Sequence, residues 1–152
     1  MSGIQNHGSV GRSCGPVRLE YCDLNTSLLA ANSRDVLAIV HFCGHNRRDP
    51  ADPRRIGVGL PVIAGDKDAE VWLTDEVAAS GWEGDIGYAL GQDVLFAHLL
   101  APEPAGCGLS THVYDVYREL LEFAVRKGYP HLLRVWNYIA DIHATSEGME
   151  RY

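Results

Sequence analysis

Four side chains suited to holding a small anion stand within five positions of one apolar stretch, HLLRVWNYIADIH, residues 131–143. Arg134 offers a planar guanidinium, which takes a carboxylate through two parallel hydrogen bonds where an ammonium offers only a point charge. Trp136 is the kind of ring on which such a cation stacks. Asn137 and Tyr138 add an amide and a phenol. As a strand, the stretch puts Leu132, Arg134, Trp136 and Tyr138 on one face and Leu133, Val135, Asn137 and Ile139 on the other. Arg134 and Tyr138 are therefore candidates for binding a ring-bearing carboxylic acid. The bland alternative is an arginine that reaches the sheet rim and pairs with an acidic neighbour. Asn137, alone on its face, reads as architectural, satisfying the backbone of a neighbouring loop.

The other reactive side chains carry less. His41, Cys43 and His45 alternate in HFCGH, but a structural zinc site wants four ligands and rarely takes them all from one strand, so no metal is expected. Arg47, Arg48, Arg54 and Arg55 flank CGHNRRDPADPRR (43–55), which reads as a solvated polar loop. GVGLP is followed by neither lysine nor Ser/Thr and is no phosphate loop. Spacing alone assigns no catalytic residue and no cofactor.

The elements that must position these groups follow from periodicity. VRLEYC (17–22) alternates as a half-buried strand does, and DVLAIVHF (35–42) is an apolar run suited to burial on both faces. IGVGLPVI (56–63) is a weaker strand, its glycines and proline pointing to an edge or bulge. AEVWLT (69–74) is a better one. IGYAL and VLFAHLL flank GQD as a hairpin. STHVYDVYRELLEFAVRKG (110–128) predicts a helix with an apolar stripe of Val113, Val116, Tyr117, Leu120, Leu121 and Ala124. Ser110 or Thr111 would cap its start and Gly128 its end. The 131–143 strand comes next, and Ser146-Glu147 has the composition of a helix start too short to stand alone. The fold class is α/β, a mixed sheet with one main helix on a face.

At 152 residues, with 46% apolar and 22% charged residues, this is one globular domain's worth of chain. The net charge of −7 excludes a basic nucleic-acid surface. Residues 1–16, rich in Gly, Ser and Asn, read as a flexible tail and carry no signal peptide, and no apolar run is long enough for a membrane span. Four cysteines without CxxC spacing read as free thiols in a cytoplasmic setting.

AEVWLT, DVLFAHLL (93–100), the 110–128 helix and YPHLLRVWNYIADIHATSEGMERY (129–152) together resemble the chorismatase family, bacterial enzymes that hydrolyse chorismate to pyruvate and a dihydroxycyclohexadienoate or hydroxybenzoate. RVWNYI followed by GMERY is the most specific part. The hairpin–helix–strand order is also similar to the RidA (YjgF-like) fold. The resemblance covers residues 17–152 as an amino-terminal domain. It implies a second, RidA-like domain after ERY that brings the acid protonating the enol ether. It also implies substrate-binding roles for Arg151 and Tyr152. His143 departs from the family pattern, which has Asn there. The expectation is a module that binds chorismate when completed by a carboxy-terminal half and is inactive alone. The alternatives are a free-standing RidA-like small-molecule-binding protein or enamine hydrolase built as a homo-oligomer, and a non-functional remnant of a longer gene.

Overall fold

The computed structural model describes residues 17–30, 32–102, 108–139, 145–146 and 149–150. The expected tail, 1–16, lies outside the described residues, as do Arg151 and Tyr152. The elements in chain order are β1 (Arg18–Cys22), α1 (Leu24–Ala30), β2 (Val36–Phe42), β3 (Arg47–Arg48), β4 (Arg55–Val58), β5 (Ala69–Leu73), β6 (Val77–Glu83), β7 (Ile86–Gly91), β8 (Leu95–Leu99), α2 (Leu109–Arg126), β9 (Thr145–Ser146) and β10 (Met149–Glu150).

Two sheets carry the fold. The larger has the order β1-β5-β2-β4-β3; its β2–β4 pair is parallel and its other pairs antiparallel, a mixed sheet as expected. The smaller is the antiparallel meander β6-β7-β8. β2 lies at the centre of the larger sheet, and its apolar run is buried on both faces: Val36, Leu37, Ala38 and Ile39 are each at most 2% exposed. On one face Val36 and Ile39 pack with Val71, Leu73 and Cys22. On the other, Leu37 and Trp72 meet Ala89, Val94, Phe96 and Val77, which joins the two sheets in one core.

Gly87 marks the closest approach within the meander. A Cβ there would stand 2.4 Å from His98 Nε2 and 2.9 Å from a ring carbon of Trp82, so only hydrogen leaves room for those two rings. His98 is 7% exposed and donates from Nε2 to the Pro53 carbonyl at 2.9 Å, tying β8 to the loop before β4. That loop is solvent-facing as its composition implied, with residues 44–48, 50 and 51 exposed, but three of its arginines are paired. Asp49 pairs with Arg55 at 2.7 Å and Asp52 with Arg54 at 2.9 Å, while Arg48 pairs with Asp85. Burial of Asp52 opposes its charge, yet the side-chain and backbone hydrogen bonds from Arg54 outweigh it and hold the carboxyl below its usual range.

α2 packs on the meander through Phe123, 0% exposed, whose ring lies 5.3 Å from that of Tyr88. Phe123 was not in the predicted stripe, and Leu121, which was, is 43% exposed. The helix turns Phe123 inward, leaving Val113, Val116, Tyr117, Leu120 and Ala124 half-buried around it. Ser110 and Thr111 lie inside the first turn, and Gly108 is the N-cap, without a side-chain cap bond. The other end is as read: Gly128, at φ 90°, closes the helix, with Tyr129 N–H reaching the Ala124 carbonyl and Gly128 N–H that of Val125. Arg126 and Lys127 then share Glu83 at the β6–β7 turn, at 2.7 and 2.8 Å. Their hydrogen bonds draw the Glu83 carboxyl below its ordinary range and raise Lys127.

Two further readings are corrected. Residues 132–139 form no ladder with any described strand, and 131–138 are exposed: the stretch packs through its rings on a sheet face instead of pairing at a sheet edge. Thr145–Ser146 and Met149–Glu150 pair as a two-residue antiparallel ladder, where the sequence suggested a helix start.

Candidate functional site

The 131–139 segment lies against the face of the larger sheet that carries Glu70 and Trp72, the face turned toward the meander, and that contact builds the candidate site. β5 alternates strictly: Ala69, Val71 and Leu73 are buried, while Glu70 and Trp72 are half-buried on the opposite face. Across the ladders, Glu70 sits between Tyr21 on β1 and Val40 on β2, and Trp72 between Leu19 and Ala38. Trp136 meets Trp72 edge to face, the rings 4.8 Å apart at 79°. Tyr138 meets Phe42 in the same manner at 6.5 Å. Asn137, between them in sequence, donates from Nδ2 to the Tyr117 hydroxyl on α2 at 2.7 Å. The segment thus keeps the alternation of a strand without the ladder. Its even-numbered aromatic residues face the sheet, and Asn137 ties it to the helix rather than to a loop backbone.

Arg134 stacks on Trp136, with Cζ 4.7 Å from the ring centroid. Most basic side chains in the structure already have carboxylate partners: Arg18 with Glu20, Arg118 with Asp115, Arg126 and Lys127 with Glu83, and three loop arginines with aspartates. Arg134 has none among the described residues. Its guanidinium is fixed from one side by an indole and keeps its N–H donors for something else. Tyr138 lies close enough to feel its surroundings. Burial raises the phenol, Glu70 and Tyr21 add to the rise, and Arg134 opposes it. The result is a neutral phenol over the working pH range, on a surface with one positive and one negative side chain.

Of the four residues proposed from sequence, the structure brings Arg134 and Tyr138 onto one surface, and Arg151 and Tyr152 fall outside the described residues. Sequence reasoning missed Tyr21, Phe42, Glu70 and Trp72. Their signal was the parity of AEVWLT and VRLEYC, which put a carboxylate and two rings on faces where packing alone would favour aliphatic residues, and the ring of Phe42 that ends DVLAIVHF. His41, Cys43 and His45 gather no metal-binding group, and none is found among the described residues. Cys22 and Cys43 are free, as expected. A shallow concavity on the other face of the larger sheet, lined by Arg18, Glu20, Cys22, Thr26, Ser33 and Asp35, has its arginine already paired with Glu20 at 3.1 Å. The aromatic surface is the better candidate because its guanidinium is unspent.

The comparisons agree with this architecture. Residues 70–152 match the family model described as chorismatase FkbO/Hyg5-like, N-terminal. A chorismatase of Streptomyces rapamycinicus is 28% identical over 142 residues, covering 90% of this chain and 42% of that protein. A 3-hydroxybenzoate synthase of Streptomyces hygroscopicus is 28% identical over 123 residues, covering 78% of this chain and 35% of its own length. The crystal structure of a chorismatase superposes with a TM-score of 0.72 at 22% identity over 89% of this chain and 41% of that one, which establishes the shared fold. The chain spans about two-fifths of the length of such relatives. With the family model covering more than half of its residues, this chain belongs to the FkbO/Hyg5-like chorismatases, as their N-terminal domain.

Proposed function

We propose that this domain supplies one wall of a chorismate site, with Arg134 receiving a carboxylate and Tyr138 bounding the ring, while a second domain of the RidA type brings the proton donor. The observation that carries the reading is Arg134 itself, stacked on Trp136 and without a carboxylate partner among the described residues. In the assembled enzyme a general acid would protonate the enol ether carbon, water would add to the resulting cation, and the adduct would collapse to pyruvate and the ring alcohol. No catalytic acid is assigned to this chain, so the domain alone binds but does not turn over. Arg151 and Tyr152 belong to the same proposed site through the GMERY resemblance. We place the module in the bacterial cytoplasm, in keeping with its free thiols; no described helix is long and apolar enough to cross a membrane.

The test is pyruvate release, measured on this chain alone and on a mixture with the carboxy-terminal half of the S. rapamycinicus relative. The chain alone releases none, the mixture does, and Arg134→Ala weakens chorismate binding by roughly 10- to 100-fold, the worth of a charged hydrogen-bonded pair. Turnover by the chain alone, or wild-type affinity in Arg134→Ala, would overturn the proposal.

A further inference from the structure

Glu70 is a half-buried carboxylate on β5, between the edge strand β1 and the central strand β2, and no described residue hydrogen-bonds or ion-pairs with it. Such groups are costly to keep: a polar group taken from water without a partner loses its hydration for nothing. Val or Thr would fill the same position on β5 without that cost. Around Glu70 are Tyr21 directly across the β1 ladder, Val40 across the β2 ladder, Trp72 two residues along the same face, and Tyr138 over the sheet. Arg134 approaches the same phenol from the other direction, held on Trp136, which is held on Trp72. Two side chains of opposite charge therefore flank one aromatic surface, and they make no ion pair with each other.

We infer that Glu70 is a specificity-determining residue of this surface, accepting a hydrogen bond from a hydroxyl of a ligand whose carboxylate is taken by Arg134. A carboxylate at this place accepts and never donates while ionised, so it rewards a hydroxyl and repels a second anion. The ligand class is accordingly a small unsaturated ring bearing a carboxylate at one side and a hydroxyl at the other, lying flat against Trp136 and Tyr138. A ring acid without a hydroxyl leaves Glu70 unpaired and is disfavoured. The inference rests on the proposed role of Arg134 and adds the chemistry that selects among ring acids.

The experiment titrates the chain with benzoate, 3-hydroxybenzoate and 3,4-dihydroxybenzoate by calorimetry, with the wild type and with Arg134→Ala, Glu70→Gln and Glu70→Ala; circular dichroism confirms that each variant is folded. The wild type prefers a hydroxylated acid to benzoate by about tenfold or more, the worth of one hydrogen bond to a charged group. Glu70→Gln, a neutral acceptor of the same shape, reduces that preference, and Glu70→Ala abolishes it, with benzoate binding unchanged or tighter in both. Arg134→Ala weakens all three acids together. If the wild type binds the three acids equally, or if Glu70→Ala weakens benzoate as much as its hydroxylated forms, Glu70 has no selective role and only this inference fails. If the wild type binds none of them, the reading of Arg134 as a carboxylate site fails with it.

Discussion

Acidification should weaken this fold through one histidine. His98 is buried between the two sheets, its ring 5.4 Å from Trp82 and 5.9 Å from Phe96, with Nε2 committed to the Pro53 carbonyl. Nδ1 is buried and has no hydrogen-bond partner among the described residues. Protonation would place a second N–H there with no acceptor to receive it. Desolvation accordingly pulls the imidazole below its ordinary value of 6.5; the bond to Pro53 opposes this, and the positive charge of Arg48 adds to it. The folded state then takes up its proton at a lower pH than the unfolded chain. Stability is complete above about pH 6.5 and falls as the pH drops below that value. The loss stops growing once the folded pKa is passed and both states are protonated.

One proton is involved, so the slope in that window is at most about 1.4 kcal/mol per pH unit. Urea denaturation followed by tryptophan fluorescence between pH 8 and pH 5 measures it, with His98→Gln as the partner variant. A glutamine amide keeps a donor for the Pro53 carbonyl but has nothing to titrate. The wild type loses stability across the window relative to His98→Gln, so the gap between the two changes with pH. A gap that stays constant from pH 8 to pH 5 would refute the reasoning, since it would mean His98 titrates alike in both states.

Two further substitutions test the packing. Phe123→Ala removes the one fully buried side chain of α2 and should cost about 3–5 kcal/mol, a large part of the 5–15 kcal/mol typical of a whole domain; urea midpoints check it, and a loss below about 1 kcal/mol would mean that α2 is not anchored through this ring. Gly128→Ala puts a Cβ on a residue at φ 90° and should cost about 1 kcal/mol, a fall of roughly 2–4 °C in Tm at unchanged helix content.

What the sequence made legible was what periodicity controls. β2 and β5 read as strands because their buried faces are written in apolar residues, and α2 because its charges and apolar residues repeat at helical spacing. The β7–β8 hairpin was carried by its glycine turn. β6 was invisible: VAASGWE runs through the small residues Ala78–Gly81, mostly exposed, so no apolar alternation announces it, and only its ladder with β7 makes it a strand. α1 is seven residues long, below the length at which a stripe can be read. Its one signal was Asp23, whose carboxylate accepts from Thr26 N–H at 3.0 Å and from the Thr26 hydroxyl at 2.6 Å, an N-cap that was there to be noticed. The stripe of α2 was misplaced by a fraction of a turn because Leu120, Leu121 and Phe123 are equally apolar; only the position of Tyr88 decides which of them turns inward.

The 131–139 stretch shows where such reading stops and why the site was nevertheless half visible. Side-chain parity is a property of the extended chain and needs no neighbour, whereas a ladder needs a free edge in register. The apolar run therefore told correctly which residues face together, Arg134 with Trp136 and Tyr138 against Asn137, and wrongly that the stretch would be hydrogen-bonded into a sheet. What fixes it instead is a pair of ring contacts and one hydrogen bond from the Asn137 amide to the Tyr117 hydroxyl. That anchoring has a consequence for binding. A free arginine side chain loses up to about 2 kcal/mol of rotamer freedom when it clamps a ligand, but Arg134 has already given up part of it on Trp136, and Trp136 is braced by Trp72 in the core between the sheets. The guanidinium meets a carboxylate with less freedom left to lose, which is the physical sense in which an exposed, unladdered segment can still present an ordered donor.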